Sequence, residues 1–285
     1  AIAGLNPWNS AIGVWLDKTG QDTEKFDNER MRIGRDLEDY VAGRFEEATG
    51  LKVRRKNAVL QHPELDWMIA NIDRFIVGVD EGLECKVTNS FAATDWKDEK
   101  IPVHYETQVH HYMAVTGASA WWIAALIGNE KVVIKRVPRD EEVIESLIKI
   151  ESAFWNDFVL PKVMPAPDGS EAAKEDILKV WPESSAEVEI ELDTRFDKLL
   201  QRRAELKELI DQAEVEVDQI NQSIQVEMKT AEAAKTPMHS ISWKSRSKTG
   251  VDSEKLKIYE PAVYKRFLKT SNYRVFSVRR NKDGR

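Results

Sequence analysis

The chain has 285 residues, 42% hydrophobic and 32% charged, with a formal net charge of −7. That is enough for one well-cored domain with a smaller appendage, and no apolar run approaches the roughly 18 residues of a membrane span, which argues against a membrane role. A single cysteine excludes an intrachain disulfide and a cysteine-based zinc cluster, in keeping with a cytoplasmic setting.

The opening, AIAGLNPWNS, has no initiator methionine and no basic-then-apolar leader pattern, so it reads as beginning inside a longer sequence. From Met31 to Gly50, the residues Ile33, Leu37, Tyr40, Val41 and Phe45 recur at helical spacing and predict a helix that carries Glu38. Strand-like runs follow at 51–60, 67–78 and 82–88. After a loop at 95–102, residues 104–117 predict a helix, 120–128 and 131–137 two strands, and 139–160 an amphipathic helix. This order predicts a mixed α/β or α+β unit over residues 1–165. Three prolines and a glycine between Pro161 and Glu171 mark the start of a linker, placed at 166–186. In the next segment, 187–235, Leu199, Leu206, Ile210, Ala213, Val217, Ile220 and Ile224 form a heptad seam of about four heptads. The ~38 residues from Phe196 would span roughly 57 Å before Pro237 ends the helix. Such a seam predicts a helical hairpin partner or an oligomer contact.

The last segment, 236–285, alternates apolar and basic residues in ISWKSRSK and YRVFSVRR around a short helical stretch at 252–271. It holds 13 Lys and Arg against 4 Asp and Glu, a net of +9, which leaves 29 − 45 = −16 for residues 1–235. A basic tail on an acidic body is a candidate contact for DNA or for the body itself.

The stretch GVDEGLECKVTNSF places Glu84 and Lys86 on one face of a strand, with Leu83, Cys85 and Val87 on the other. Eleven residues before Glu84, Asp73 ends MIANID on what would be the neighbouring strand of a hairpin. An aspartate beside Glu-x-Lys is the arrangement of a metal-dependent nuclease core. Two carboxylates about 4 Å apart repel by about 4 kcal/mol at an effective dielectric near 20, a cost that a divalent ion offsets. Hard oxygen ligands favour Mg²⁺, with Mn²⁺ as a substitute, and Cys85 would contribute its backbone carbonyl. By composition alone such a pattern gives roughly 0.6 chance matches in a chain of this length, and a surface ion pair is the bland reading. The pattern gains from its neighbours: Glu38 on the preceding helix, and Tyr105 and Gln108 three apart on the following one.

Together with GLNPWNSAIGVWLDKTG, GRDLEDYVAGRFEEATG and IPVHYETQVHHYMAVTG, these residues resemble the YqaJ-type phage recombinase family, relatives of lambda exonuclease within the PD-(D/E)xK nuclease superfamily. The resemblance covers most of residues 1–165. It implies a restriction-endonuclease-like core followed by the coiled-coil segment and a small basic unit. It also implies metal ligation by Asp73, Glu84 and the Cys85 carbonyl, with Glu38 on a second ion or its water. Lys86 would position or activate the water, and Tyr105 and Gln108 would orient Lys86 or the phosphate. The implied activity is a 5′-to-3′ exonuclease on duplex DNA that leaves 3′ single strands for a single-strand annealing protein, in a homo-oligomer. A structure-specific endonuclease and a non-catalytic DNA-binding scaffold are the alternatives.

In the family, GLNPW is usually preceded by a Gly-Gly-Ser-Asp stretch and an arginine that help hold a DNA 5′-phosphate, and this sequence does not show them. Asn71, two residues before Asp73, is therefore a further candidate phosphate contact. Lambda exonuclease is a toroidal trimer without a long heptad appendage, so the subunit number is not carried over. Adjacent His110 and His111 point about 100° apart on a helix and cannot chelate as an i, i+4 pair, so these and His104 read as packing or DNA contacts. The tryptophans read as core, and Asp66 and Asp80 as structural or solvated.

Overall fold

The computed structural model describes residues 1–21, 27–98 and 100–279 and separates into two compact units, Ala1–Pro182 and Glu183–Arg285. In the first, helices α1 (Ala11–Lys18) and α2 (Glu29–Thr49) precede the short strands β1 (Val53–Arg55), β2 (Val59–Gln61), β3 (Ile69–Asn71) and β4 (Arg74–Ile76). The long strand β5 (Glu81–Thr88), helix α3 (Val103–Thr116), strands β6 (Ala120–Ile127) and β7 (Lys131–Pro138), and helices α4 (Glu141–Phe154) and α5 (Glu171–Val180) complete it. Five strands form one sheet in the order β1-β4-β5-β6-β7. Only β5 and β6 run parallel, joined by α3 as the crossover helix, and the other pairs are antiparallel. The architecture is mixed α/β.

Local sequence accounts for the helix limits. Asn28 caps α2 through the Met31 N–H, and Gly50, at φ 73°, ends it in the left-handed region that glycine enters without strain. The sheet has two buried faces. Leu83 and Cys85 of β5 pack with Val41, Ala42 and Phe45 of α2, whereas Ile123, Ala125 and Ile127 of β6 pack with Val109 and Met113 of α3. Gly82 is dictated by this second face, since a Cβ there would overlap the Trp121 ring.

Four expectations need correction. The runs at 51–60 and 67–78 are each broken in two, because β2 and β3 pair with one another in a separate ribbon while β1 and β4 join the main sheet. Residues 171–180, placed in the linker, form α5, whose Asp176 accepts a hydrogen bond from buried Ser10 at 2.8 Å. In the second unit the long helix α6 (Arg195–Met228) ends before Pro237, at Lys229 with φ 50°. The chain there turns into the ribbon of β8 (Ala233–Lys235) and β9 (Ser240–Ser242), so α6 spans about 51 Å. The helical stretch at 252–271 divides into α7 (Ser253–Tyr259) and α8 (Pro261–Arg266), because Pro261 disfavours helical geometry at Glu260. Arg280, at the end of the expected YRVFSVRR run, and the rest of the tail lie outside the described residues. Among the described residues no helix is long and apolar enough to cross a membrane.

His111 ties three elements together. From α3, its Nδ1 lies 2.8 Å from a Glu151 carboxylate oxygen on α4, and its Nε2 lies 3.0 Å from the Ile69 carbonyl on β3. Two acceptors call for two N–H donors, which only the imidazolium has. Burial pulls the His111 pKa down, but the Glu151 carboxylate and the Ile69 carbonyl outweigh it and the pKa is raised. A raised histidine pKa contributes stability that is fully present below the unfolded value, near 6.5, and lost as pH rises through the folded value. The melting temperature should therefore fall on going from about pH 6 to above the folded His111 pKa. Differential scanning calorimetry should show this fall reduced in Glu151→Gln, and an unchanged slope in that variant would remove the ion pair as its cause.

Candidate active site

The chain changes sheets between β3 and β4, and Asp73 occupies the junction. Its Oδ2 accepts a hydrogen bond from the Cys85 N–H at 2.8 Å, which holds the carboxylate against β5. The β4–β5 register pairs Arg74 with Leu83 and Phe75 with Gly82, and Asp73 immediately precedes β4. On β5 the alternation places Glu84 and Lys86 on the α3 face, and Cys85 turns the other way into the α2 core.

Glu84 is 3% exposed. Its Oε1 accepts from Lys86 Nζ at 2.5 Å and from Gln108 Nε2 at 3.2 Å, whereas its Oε2 is buried without a hydrogen-bond partner. Burial pushes the Glu84 pKa up to about 7; Lys86 opposes the rise and Asp73 adds to it. Burial draws the Lys86 pKa down, but Glu84 more than offsets this and the net shift is upward, so Lys86 is an ammonium. Its Nζ also sits 4.9 Å from the centroid of the Tyr105 ring.

Glu38, on α2, completes the electrostatic group. Its pKa is raised by burial and by the Asp73 charge, and lowered in turn by Arg74, Arg55 and Lys86. The structure thus brings together Asp73, Glu84, Lys86, Gln108 and Tyr105, with Glu38 within range of their charges. Asn71 ends β3 as an exposed residue opposite Val59, and among the described residues no hydrogen bond joins it to this group.

Four further residues, Tyr112, Arg74, Asp39 and Arg55, support the site and were not singled out from sequence. Tyr112 accepts from Gln108 Nε2 at 2.5 Å; its spacing of four from Gln108 and seven from Tyr105 on one helix face was the signal that sequence offered. Buried Arg74 donates to Asp39 at 2.6 Å and reaches the Cys85 Sγ at 3.5 Å, and Arg55 meets the same Asp39 at 2.8 Å. No single-sequence pattern links Arg74 to Asp39 across 35 positions. Burial pushes the Cys85 thiol up to about 12, so it is an inert core group.

Among the described residues no three His, Cys, Asp or Glu side chains converge as a metal-ligating cluster. The carboxylate pair nevertheless fits a hard divalent ion on two grounds. Glu84 has a buried oxygen with no donor, and the mutual effect of Asp73 on Glu84 and on Glu38 is the repulsion a cation relieves. Beside the group lies a cavity of about 420 Å³ lined by Trp8, His104, Tyr105, Gln108 and His111. A larger groove of about 2260 Å³ shares Trp8, His104 and Tyr105 and is also lined by Arg30, Arg35 and Lys179.

A family model described as the YqaJ-like viral recombinase domain matches residues 1–119. The uncharacterized protein YqaJ of Bacillus subtilis (strain 168) is 39% identical over 281 residues, covering 98% of this chain and 88% of that protein. Among solved structures, the chain is similar to an alkaline exonuclease (LHK-Exo) from Laribacter hongkongensis at 21% identity and a TM-score of 0.45, covering 54% of this chain and 77% of that one. It is also similar to a phage-related exonuclease from Haemophilus somnus 129PT at 11% identity and a TM-score of 0.42, covering 52% and 79%.

Gln108 is the joint between Glu84 and Tyr112, both of which are buried. Gln108→Ala should destabilise the fold by about 1–3 kcal/mol in urea denaturation, because it leaves the Tyr112 hydroxyl and the carboxylate short of a donor. Tyr112→Phe should cost less, since it removes a hydroxyl along with its need for a partner. The reverse order would show that Gln108 does not bridge the two.

Proposed function

The chain belongs to the YqaJ-like viral recombinase family, and from that premise we propose that it is a metal-dependent deoxyribonuclease with a PD-(D/E)xK core. Its activity is a 5′-to-3′ exonuclease on duplex DNA that leaves 3′ single strands. The observation that carries this reading is the buried Glu84, one oxygen held by Lys86 and the other without a partner, on the strand whose Cys85 N–H holds Asp73. A scaffold has no use for a carboxylate held at such cost. Asp73, Glu84 and the Cys85 carbonyl would hold Mg²⁺ or Mn²⁺, and Glu38 would reach a second ion or its water. Bound there, a divalent ion supplies an acidified water and stabilises charge on the leaving oxygen.

The chain's own residues do the remainder. Lys86, an ammonium, donates to the attacking water or to a phosphate oxygen and neutralises charge that develops there. Gln108, itself set by Tyr112, holds the Glu84 carboxylate in one orientation, and the Tyr105 ring confines the Lys86 head group. The groove, lined by Arg30, Arg35 and Lys179 and also by Asp27, Asp95 and Glu175, offers room for a duplex and basic side chains to meet its phosphates, and Asn71 is a candidate contact to a terminal phosphate. A single-strand annealing protein in the same cytoplasm would take up the product strand.

Purified protein should degrade linear duplex DNA with Mg²⁺ or Mn²⁺ and not in EDTA. Asp73→Ala and Glu84→Ala should lower turnover by roughly 10²–10³-fold or more with the fold retained by circular dichroism. Lys86→Ala should be similarly slow yet still bind metal in calorimetry. Cleavage by both carboxylate variants at the wild-type rate would remove the reaction from this site. Linear DNA with 5′-phosphates should be consumed from its ends while a closed circle survives, and Asn71→Ala should narrow the preference for phosphorylated over dephosphorylated ends. Nicking of the circle as fast as end digestion would replace the exonuclease reading with an endonuclease.

The basic tail makes a separate prediction. If residues 236–285 touch DNA, removing them should flatten the dependence of log K on log salt by roughly 0.9 for each phosphate the tail had neutralised. An unchanged slope in a filter-binding titration would assign the tail to protein contacts.

A further inference from the structure

Helix α6 carries an apolar stripe that, among the described residues, no other element of its own unit is long enough to cover. Leu206, Ile210, Val217 and Ile220 lie along the seam and are 44–55% exposed. The other helices of the unit, α7 and α8, have 7 and 6 residues against 34 for α6. A stripe of this length on a solvated helix calls for a partner helix of similar length.

The charges on α6 identify that partner and its direction. Residues 195–210 hold five basic and three acidic side chains, and residues 211–228 hold five acidic and no basic ones. In heptad terms Ile210, Val217 and Ile224 take the a positions and Leu206, Ala213 and Ile220 the d positions, which puts Arg203 at a and Arg202 and Lys207 at the flanking g and e positions. Two copies side by side in parallel would stack Arg203 on Arg203 within the seam and set Arg202 against Lys207 at its edge. Reversing one copy removes both conflicts. Ile210 then packs on Ala213, Leu206 on Val217 and Leu199 on Ile224. Lys207 faces Glu214 twice across the two-fold axis, and each basic half lies along an acidic half.

We infer that α6 forms an antiparallel two-stranded coiled coil with the α6 of a second copy of this chain. The inference rests on α6 alone, so it stands or falls separately from the nuclease reading. The interface is isologous, with each half of the helix contacting the opposite half of its partner.

Sedimentation equilibrium on the full chain should give a dimer mass. Ile210→Asp combined with Val217→Asp, both at exposed positions, should give a monomer with an unchanged circular dichroism signal in the far ultraviolet from the first unit's sheet and helices. Lys207→Glu should raise the dimer dissociation constant about tenfold, and adding Glu214→Lys should restore it, because the two reversals recreate the cross-helix pairs. For direction, Leu199→Cys and Ile224→Cys chains are mixed and oxidised; the native Cys85 is buried and stays out of the reaction. The mixture should crosslink and Leu199→Cys alone should not. A monomeric or trimeric wild type, association that survives the double aspartate variant, failure of the charge swap to restore, or crosslinking of Leu199→Cys alone would each overturn the proposal.

Discussion

The site depends on a carboxylate kept where water cannot reach it. Glu84 sits under α3 with one oxygen engaged by Lys86 and Gln108 and the other without a donor, and its pKa of about 7 is the electrostatic sign of that position. A buried carboxylate without full hydrogen bonding costs free energy, so it persists only where the surrounding fold holds it in place. Here the holding is done by the longest strands of the sheet. Glu84 lies midway along β5, paired in register with Ile123 on β6, and the N–H of the next residue, Cys85, holds Asp73. Neither strand can shift by one residue without sending Glu84 and Lys86 into the apolar core and Cys85 into the site.

The crossover connection does two tasks at once. A parallel β5–β6 pair requires a long return path, and α3 supplies it across one face of the sheet. The same path carries Tyr105, Gln108 and Tyr112 over Glu84 and Lys86. His111, one residue before Tyr112, anchors α3 to α4 and to β3, the strand that leads into Asp73. The opposite face is closed by α2, which brings Glu38 toward Asp73 and sets Asp39 between Arg55 and Arg74. The cluster is therefore built from two helices, the strand β5 and the β3–β4 junction, and its side chains find partners on other elements.

The second unit obeys a different rule. Its long helix has polar and apolar residues at heptad spacing but almost no buried surface; Met228 is the one buried residue along its 34. Helical propensity and i, i+3 pairs such as Arg202 with Glu205 contribute only tenths of a kcal/mol each, so the stripe marks a surface whose burial lies in assembly. The polarity of charge along α6 restricts that assembly further than the apolar stripe does, because hydrophobic contact is indifferent to direction and charge is not.

Much of this was legible in the chain itself. The face shared by Glu84 and Lys86 follows from the two-residue period of a strand, the placing of Glu38, Tyr105 and Gln108 on helices follows from the 3.6-residue period, and Gly50 and Gly117 mark helix ends by their backbone freedom. Those are local properties, determined by neighbours a few positions apart. The break between β3 and β4, the bond from Gln108 to Glu84, the pairing of Arg74 with Asp39 and of His111 with Glu151, and the membership of α5 in the first unit join residues 24 to 166 positions apart or depend on which strand pairs with which. Local preference leaves such choices open. They were decided by tertiary structure, because a buried charge takes whichever partner the packed sheet and helices bring within hydrogen-bonding distance.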